Sequence, residues 1–156
     1  MVVREARKGI WVAPLSVKDL DEVYSVRVQL EGLAAMNAAR STDANLQGQL
    51  KAVLDDMRRA ADGNNREGFF LADVRGSQII HQMSGNATLT RLLVSLDKQA
   101  WRYRYRAYLN DPQAVLLSME ESALIIDAII TGNEAAKMRT EELILKLWHL
   151  IREDLE

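Results

Sequence analysis

The sequence contains no cysteine, two prolines, eight glycines and two histidines in 156 residues. Without cysteine there are no disulfides, no thiol nucleophile and no cysteine-ligated zinc. His81 and His149 lie far apart and form no histidine metal box by themselves. No uninterrupted apolar run approaches the ~18 residues needed to span a bilayer, and the opening Met1-Val2-Val3-Arg4-Glu5 lacks the apolar core of a signal peptide. A cytoplasmic location with no membrane contact is the expectation. An excess of positive charge is missing too: 20 Lys and Arg stand against 22 Asp and Glu, a net charge of −2. A chain living on phosphate contacts would be basic, so general nucleic-acid binding is disfavoured. With 48% hydrophobic and 27% charged residues, a disordered or low-complexity chain is excluded. At this length one domain with one substantial core is expected.

What is present reads as helix after a short extended start. Lys8-Gly9 followed by Ile10-Trp11-Val12-Ala13-Pro14 reads as a turn and a short strand that Pro14 ends. Such a strand needs a partner that the chain hardly supplies. From Ser16, with Asp19 three residues on as a variant capping box, Leu20, Val23, Tyr24, Val26, Leu30, Leu33 and Ala34 recur at helical spacing to about residue 40. Thr42 or Asp43 caps a second helix through Leu46, Leu50, Val53, Leu54 and Met57, closed by Asp62-Gly63-Asn64. A third runs from Arg66 to Met83 with Phe70, Val74 and Ile80 on one side, stopped by Ser84-Gly85. Asn86 caps a fourth through Leu89, Leu92, Leu93 and Leu96 towards Tyr108. Asp111-Pro112 opens a fifth that reaches Gly132, and Asn133 caps a sixth through Leu143, Leu147, Trp148 and Ile151. The spacing therefore predicts an all-α antiparallel bundle of about six to seven helices.

Three places carry chemistry on that framework. Arg27 falls on the apolar stripe of the first helix, with Glu31 one turn on. An i, i+4 ion pair at the edge of the core is the favoured reading, and a guanidinium aimed into a cavity to hold a carboxylate is the other. Asp73, Ser77 and His81 form one row at i, i+4, i+8. Asp73 and His81 stand about 12 Å apart along the helix axis, too far to share an ion. Polar groups in a cavity wall are a better reading than a metal site, beside the plain one of a satisfied helix-face histidine. Trp101 to Tyr108 interleaves arginine with aromatics, which could suit single-stranded nucleic acid. On a helix, however, Arg102 and Arg106 share a wet face while Arg104 follows the Leu93, Leu96 and Ala100 stripe inward. No Gly-rich phosphate loop, nucleophile elbow or helical HExxH motif occurs, so no enzyme is expected.

Four segments taken in order resemble one family. Residues 7–16, including Gly9-Ile10-Trp11-Val12, look like the last wing strand of a winged helix-turn-helix and its exit. Asp19 to Arg27, with Leu30-Glu31 and Ala34-Ala35, resembles the first helix of the FCD domain, the helical ligand-sensing domain of FadR-type GntR transcription regulators. Asp73 through Ser84-Gly85-Asn86 resembles the family's ligand helix, and Asp127-Ala128-Ile129 with Gly132-Asn133 its last helix joint. The resemblance implies a wing-strand remnant at 1–14 and an effector-binding domain at 15–156. It further implies a homodimer, and DNA contact only through a winged-helix unit of roughly 60 further residues. It also implies a cavity for a small organic acid, with Arg27, Asp73, Ser77, His81, Arg104 and Ser122 around the ligand.

The family's metal site uses an Asp and three His. Here Asp73 matches, Ser77 and Ser122 stand at two histidine positions, and no histidine occurs around residues 142–144. One ligand of four holds no transition metal with useful affinity, so no metal and no cofactor are expected. The rival expectation is a purely structural dimerisation module whose core is filled and takes no ligand.

Overall fold

The computed structural model describes residues 14–156 in full, and of the first thirteen only the backbone of residues 2–5 and 9–12. There β1 (Val2–Glu5) and β2 (Gly9–Val12) form an antiparallel hairpin with Val2 opposite Val12 and Glu5 opposite Gly9. The expected strand thus has a partner after all, supplied by a four-residue segment too short to show a period of two. Lys8, half of the expected turn, and Ala13 lie outside the described residues.

Six helices follow: α1 (Val17–Ala38), α2 (Ala44–Asp62), α3 (Arg66–Met83), α4 (Ala87–Asn110), α5 (Pro112–Ile130) and α6 (Ala136–Leu155). Their starts are fixed by side chains that accept orphan backbone N–H groups. Ser16 accepts from Asp19 N, Asp43 from Leu46 N, Asn65 from Gly68 N and Asn86 from Leu89 N. Asp111 accepts from Gln113 N, and Pro112 occupies the first helical position, where its missing N–H costs nothing. The sixth start differs from expectation. Asn133 accepts from Ala135 N, and the helix begins only at Ala136 without a side-chain cap. Gly85 and Gly132 end α3 and α5 with φ of 66° and 72°, a left-handed turn that residues with a Cβ rarely adopt.

The helices make one bundle around α1, which packs against α6, α4 and α3, while α2 rests on α3 and α5. The α3 stripe is rotated from the expected one. Phe69, Ala72, Gly76, Ile79 and Met83 are buried, and Phe70, Val74 and Ile80 lie at the margin. Leu92, expected inward on α4, is 53% exposed. Among the described residues no helix is long and apolar enough to cross a membrane.

Candidate functional site

The centre of the bundle is polar. Arg27 and Glu31 of α1, His81 of α3, and Asp97 and Arg104 of α4 are each 5% exposed or less. Charges this deep persist only when compensated by partners. Arg104 Nη2 donates to Asp73 Oδ2 at 2.7 Å and lies 3.5 Å from Ser77 Oγ. The Tyr108 hydroxyl donates to the same Asp73 oxygen at 2.5 Å and meets Ser118 Oγ at 2.9 Å, tying α3, α4 and α5 together. Burial opposes the Arg104 charge, but Asp73 outweighs it and keeps the guanidinium protonated.

A second set lies one to two turns away. Glu31 Oε2 meets His81 Nε2 at 2.9 Å, and His81 Nδ1 lies 3.8 Å from Asp97 Oδ2. Burial alone would raise the Glu31 carboxyl, yet the charge and hydrogen bond of His81, together with Arg27, hold it down to about 2. Burial opposes a charged His81, and Glu31 overcomes it and raises the imidazole above its ordinary value. Asp97 is raised to about 6 by burial and by the negative charge of Glu31.

Arg27 is the least satisfied of these groups. Its Nε lies 3.9 Å from Glu31 Oε1, and neither Nε nor Nη1 has a hydrogen-bond partner. The guanidinium carbon stands 5.2 Å from the centre of the Tyr24 ring. The ion pair expected at the edge of the core is instead deep inside, and it is an approach of opposite charges without a hydrogen bond.

Several of these side chains line a cavity of about 70 Å³. Arg27, Asp73, Ser77, Arg104 and Ser122, five of the six residues singled out from sequence, line it. His81 stands behind Glu31, which does line it. Tyr108, Thr140 and an apolar floor of Ile125, Ile144 and Leu147 complete the wall, and the Thr140 hydroxyl has no partner. Sequence reasoning missed Asp97, Tyr108 and Thr140 and treated Glu31 only as a partner for Arg27. Asp97 carried a usable signal: it falls four residues after Leu93 and seven before Arg104, a charge on the buried stripe of α4. The expected basic face of α4 is partly spent within the fold, since Arg106 Nε donates to Asp154 at 2.9 Å.

A metal at the family's position does not fit these residues. The positive charge beside Asp73 is already a guanidinium, and Ser77 Oγ donates to the Asp73 backbone carbonyl at 3.2 Å. Glu31, His81 and Asp97 gather ligand atoms within 4.8 Å of one another. The ring nevertheless turns Nε2 to Glu31 at 2.9 Å and Nδ1 towards Asp97 at 3.8 Å, so its two nitrogens face different carboxylates rather than one shared ion.

Comparison with known proteins agrees with this architecture. Residues 22–144 match the model of the FCD domain. Over 73 residues the chain is 37% identical to an uncharacterized HTH-type transcriptional regulator in the TAR-I ttuE-ttuC' intergenic region of Agrobacterium vitis, covering 44% of this chain and 42% of that protein. E. coli McbR/YncC superposes with a TM-score of 0.86 at 15% identity, over 98% of this chain and 77% of that one. Streptococcus agalactiae GntR gives 0.72 at 17% identity, over 96% and 74%. The fold is shared with both. With its helical bundle and the family model matched over most of its length, the chain belongs to the FCD domain family.

Proposed function

We propose that this domain is the effector-binding and dimerisation part of a cytoplasmic GntR-type regulator and binds a small organic acid in the cavity among its helices. The observation that carries this reading is Arg27, a buried cation on the cavity wall with two N–H donors unpaired. A carboxylate oxygen placed there would satisfy donors that otherwise lose their hydration for nothing. Arg104 is the second cation of the wall, and Ser77, Ser122 and Thr140 bring hydroxyls for the remainder of the ligand. Asp73, on the wall itself, holds Arg104, and His81, behind the wall, holds Glu31. No metal takes part. DNA is contacted through a winged-helix unit joined at the hairpin end, in a homodimer whose paired heads are respaced when the cavity fills. A coupling of about 1–3 kcal/mol is the usual size for such a device. The reading contains no catalytic step.

The test is calorimetric titration with a panel of two- to six-carbon carboxylates, using wild type and Arg27→Met. Methionine keeps the length and apolar stem, so packing is largely retained. An acid that binds should lose about 2–3 kcal/mol of affinity in the variant, as expected for a sheltered charge-assisted hydrogen bond. Equal affinity would remove Arg27 from the site. A panel that neither binds nor raises the melting temperature, where a true ligand adds RT ln(1 + [L]/Kd), would leave the filled dimerisation module as the better account.

A further inference from the structure

The charges in and around the cavity balance one another. Arg27, Arg104 and a protonated His81 supply three positive charges, and Glu31, Asp73 and Asp97 three negative ones. An anionic ligand entering this neutral, enclosed group leaves one negative charge in excess, and an uncompensated charge inside a protein is costly. Asp97 is where the excess can be cancelled. It is 3% exposed, its Oδ1 has no hydrogen-bond partner, and its nearest basic atom is His81 Nδ1 at 3.8 Å. Of the carboxylates here it is the least stabilised as an anion. Asp73 has Arg104 and Tyr108, and Glu31 has His81.

The groups that act on Asp97 come from every neighbouring element that carries charge. Helix α1 presents Tyr24, Arg27 and Glu31, α3 presents His81, and α4 presents Arg104 one to two turns along. The cavity walls from α5 and α6 are Ser122, Thr140 and aliphatic side chains. Asp97 itself stands outside the wall, behind Glu31 and His81, and so acts on the ligand through the field and not by contact.

Building on the effector-binding reading above, we propose that the cavity takes up one proton with each singly charged carboxylate, and that Asp97 receives it. Specificity for short monocarboxylates over dicarboxylates follows. A single proton cancels a single added charge, and a second carboxylate would stay uncompensated. The space agrees, since about 70 Å³ is room for only a few heavy atoms where each water needs roughly 10–15 Å³. In the empty cavity Asp97 titrates at about 6. A neighbouring anion raises that value further. Between the two values binding draws a proton from solvent, so affinity falls as pH rises.

Propanoate and lactate are the probes. Their Kd should be nearly constant from pH 5 to 6 and should then weaken by up to tenfold per pH unit towards pH 8. At pH 7.5 the apparent binding enthalpy in phosphate and in Tris should differ by the buffers' ionisation enthalpies times close to one proton. In Asp97→Asn, which mimics the neutral acid, the uptake should vanish and the affinity at pH 8 should match that at pH 6. The ligand-free protein offers a measurement independent of binding and of the variant's folding. The carboxyl carbon of Asp97, followed by 13C NMR, should titrate near pH 6.

A midpoint below 4.5 overturns the proposal, and so does binding with no proton uptake. Uptake that survives in Asp97→Asn and disappears in His81→Gln assigns the proton to His81 instead and overturns it as well. Propanoate and lactate binding to wild type with a flat pH profile removes this inference alone. Failure of every carboxylate to bind at any pH removes the effector reading on which it rests.

Discussion

Glu31 and His81 meet at 2.9 Å inside the bundle, and each shifts the other's hold on its proton. Glu31, held down to about 2, adds stability that is complete above its ordinary value and is lost as pH falls towards 2. His81, raised, adds stability that is complete below its ordinary value of 6.5 and is lost as pH rises through its folded value. Asp97 works against the fold once ionised, so stability also declines as pH climbs from 3.8 to about 6. The urea-unfolding free energy of wild type should therefore fall above pH 6.5, by at most ~1.4 kcal/mol per pH unit for one proton. His81→Gln should flatten that limb, and an unchanged slope in the variant would show that His81 does not carry the proton. Part of this was legible in the sequence. Arg27 and Arg104 stood out because each is a charge on an apolar stripe. The approach of His81 to Glu31 was not, because 50 residues separate them and only the packing of α3 on α1 brings them together.

At the level of elements, the chain announces its helices through caps more clearly than through faces. Ser16, Asp43, Asn86 and Asp111 stand where their side chains meet backbone N–H groups, and a cap is a local device readable from three or four residues. Which way a helix turns is a tertiary choice. On α3 the buried stripe runs through Gly76, and the reason is close approach. A Cβ at this position would stand 3.1 Å from Val53 Cγ1 of α2. Rotating α3 to bury Val74 and Ile80 instead would forfeit that contact. Gly76→Val should accordingly destabilise the fold by about 1–3 kcal/mol, the usual cost of overpacking. Adding Val53→Ala should recover part of the loss, a coupling expected only of residues in contact. Chemical denaturation of the two single variants and the double variant measures it, and simple additivity would mean that α2 and α3 are not locked at this point.

For the molecule as a whole, the question is how the interior is joined to the end where the chain enters the bundle. Tyr103 sits between the two. Its neighbour Arg104 lines the cavity, while the Tyr103 hydroxyl donates to Asp19 Oδ2 at 2.6 Å and accepts from Ser16 N at 3.4 Å. Burial and the Asp19 hydrogen bond raise that hydroxyl to about 12, so it remains a neutral donor throughout the physiological range. Its ring packs edge-on against Tyr24, 6.4 Å between centres, which fixes the side chain apart from its hydrogen bonds. Nothing local hints at this tie, since α4 and the start of α1 lie 84 residues apart and Tyr103 reads as one aromatic in a basic, aromatic run. Tyr103→Phe keeps the ring and removes only the hydroxyl. It should lower stability by about 1–2 kcal/mol, as expected for a hydrogen bond to a carboxylate, without disturbing Arg104 or the cavity. Amide hydrogen exchange adds the spatial readout: protection should drop in the first turn of α1 and stay unchanged in α3 and α5. If protection in that first turn is untouched, Tyr103 packs but does not anchor, and the junction between hairpin and bundle is held by the capping of Ser16 alone.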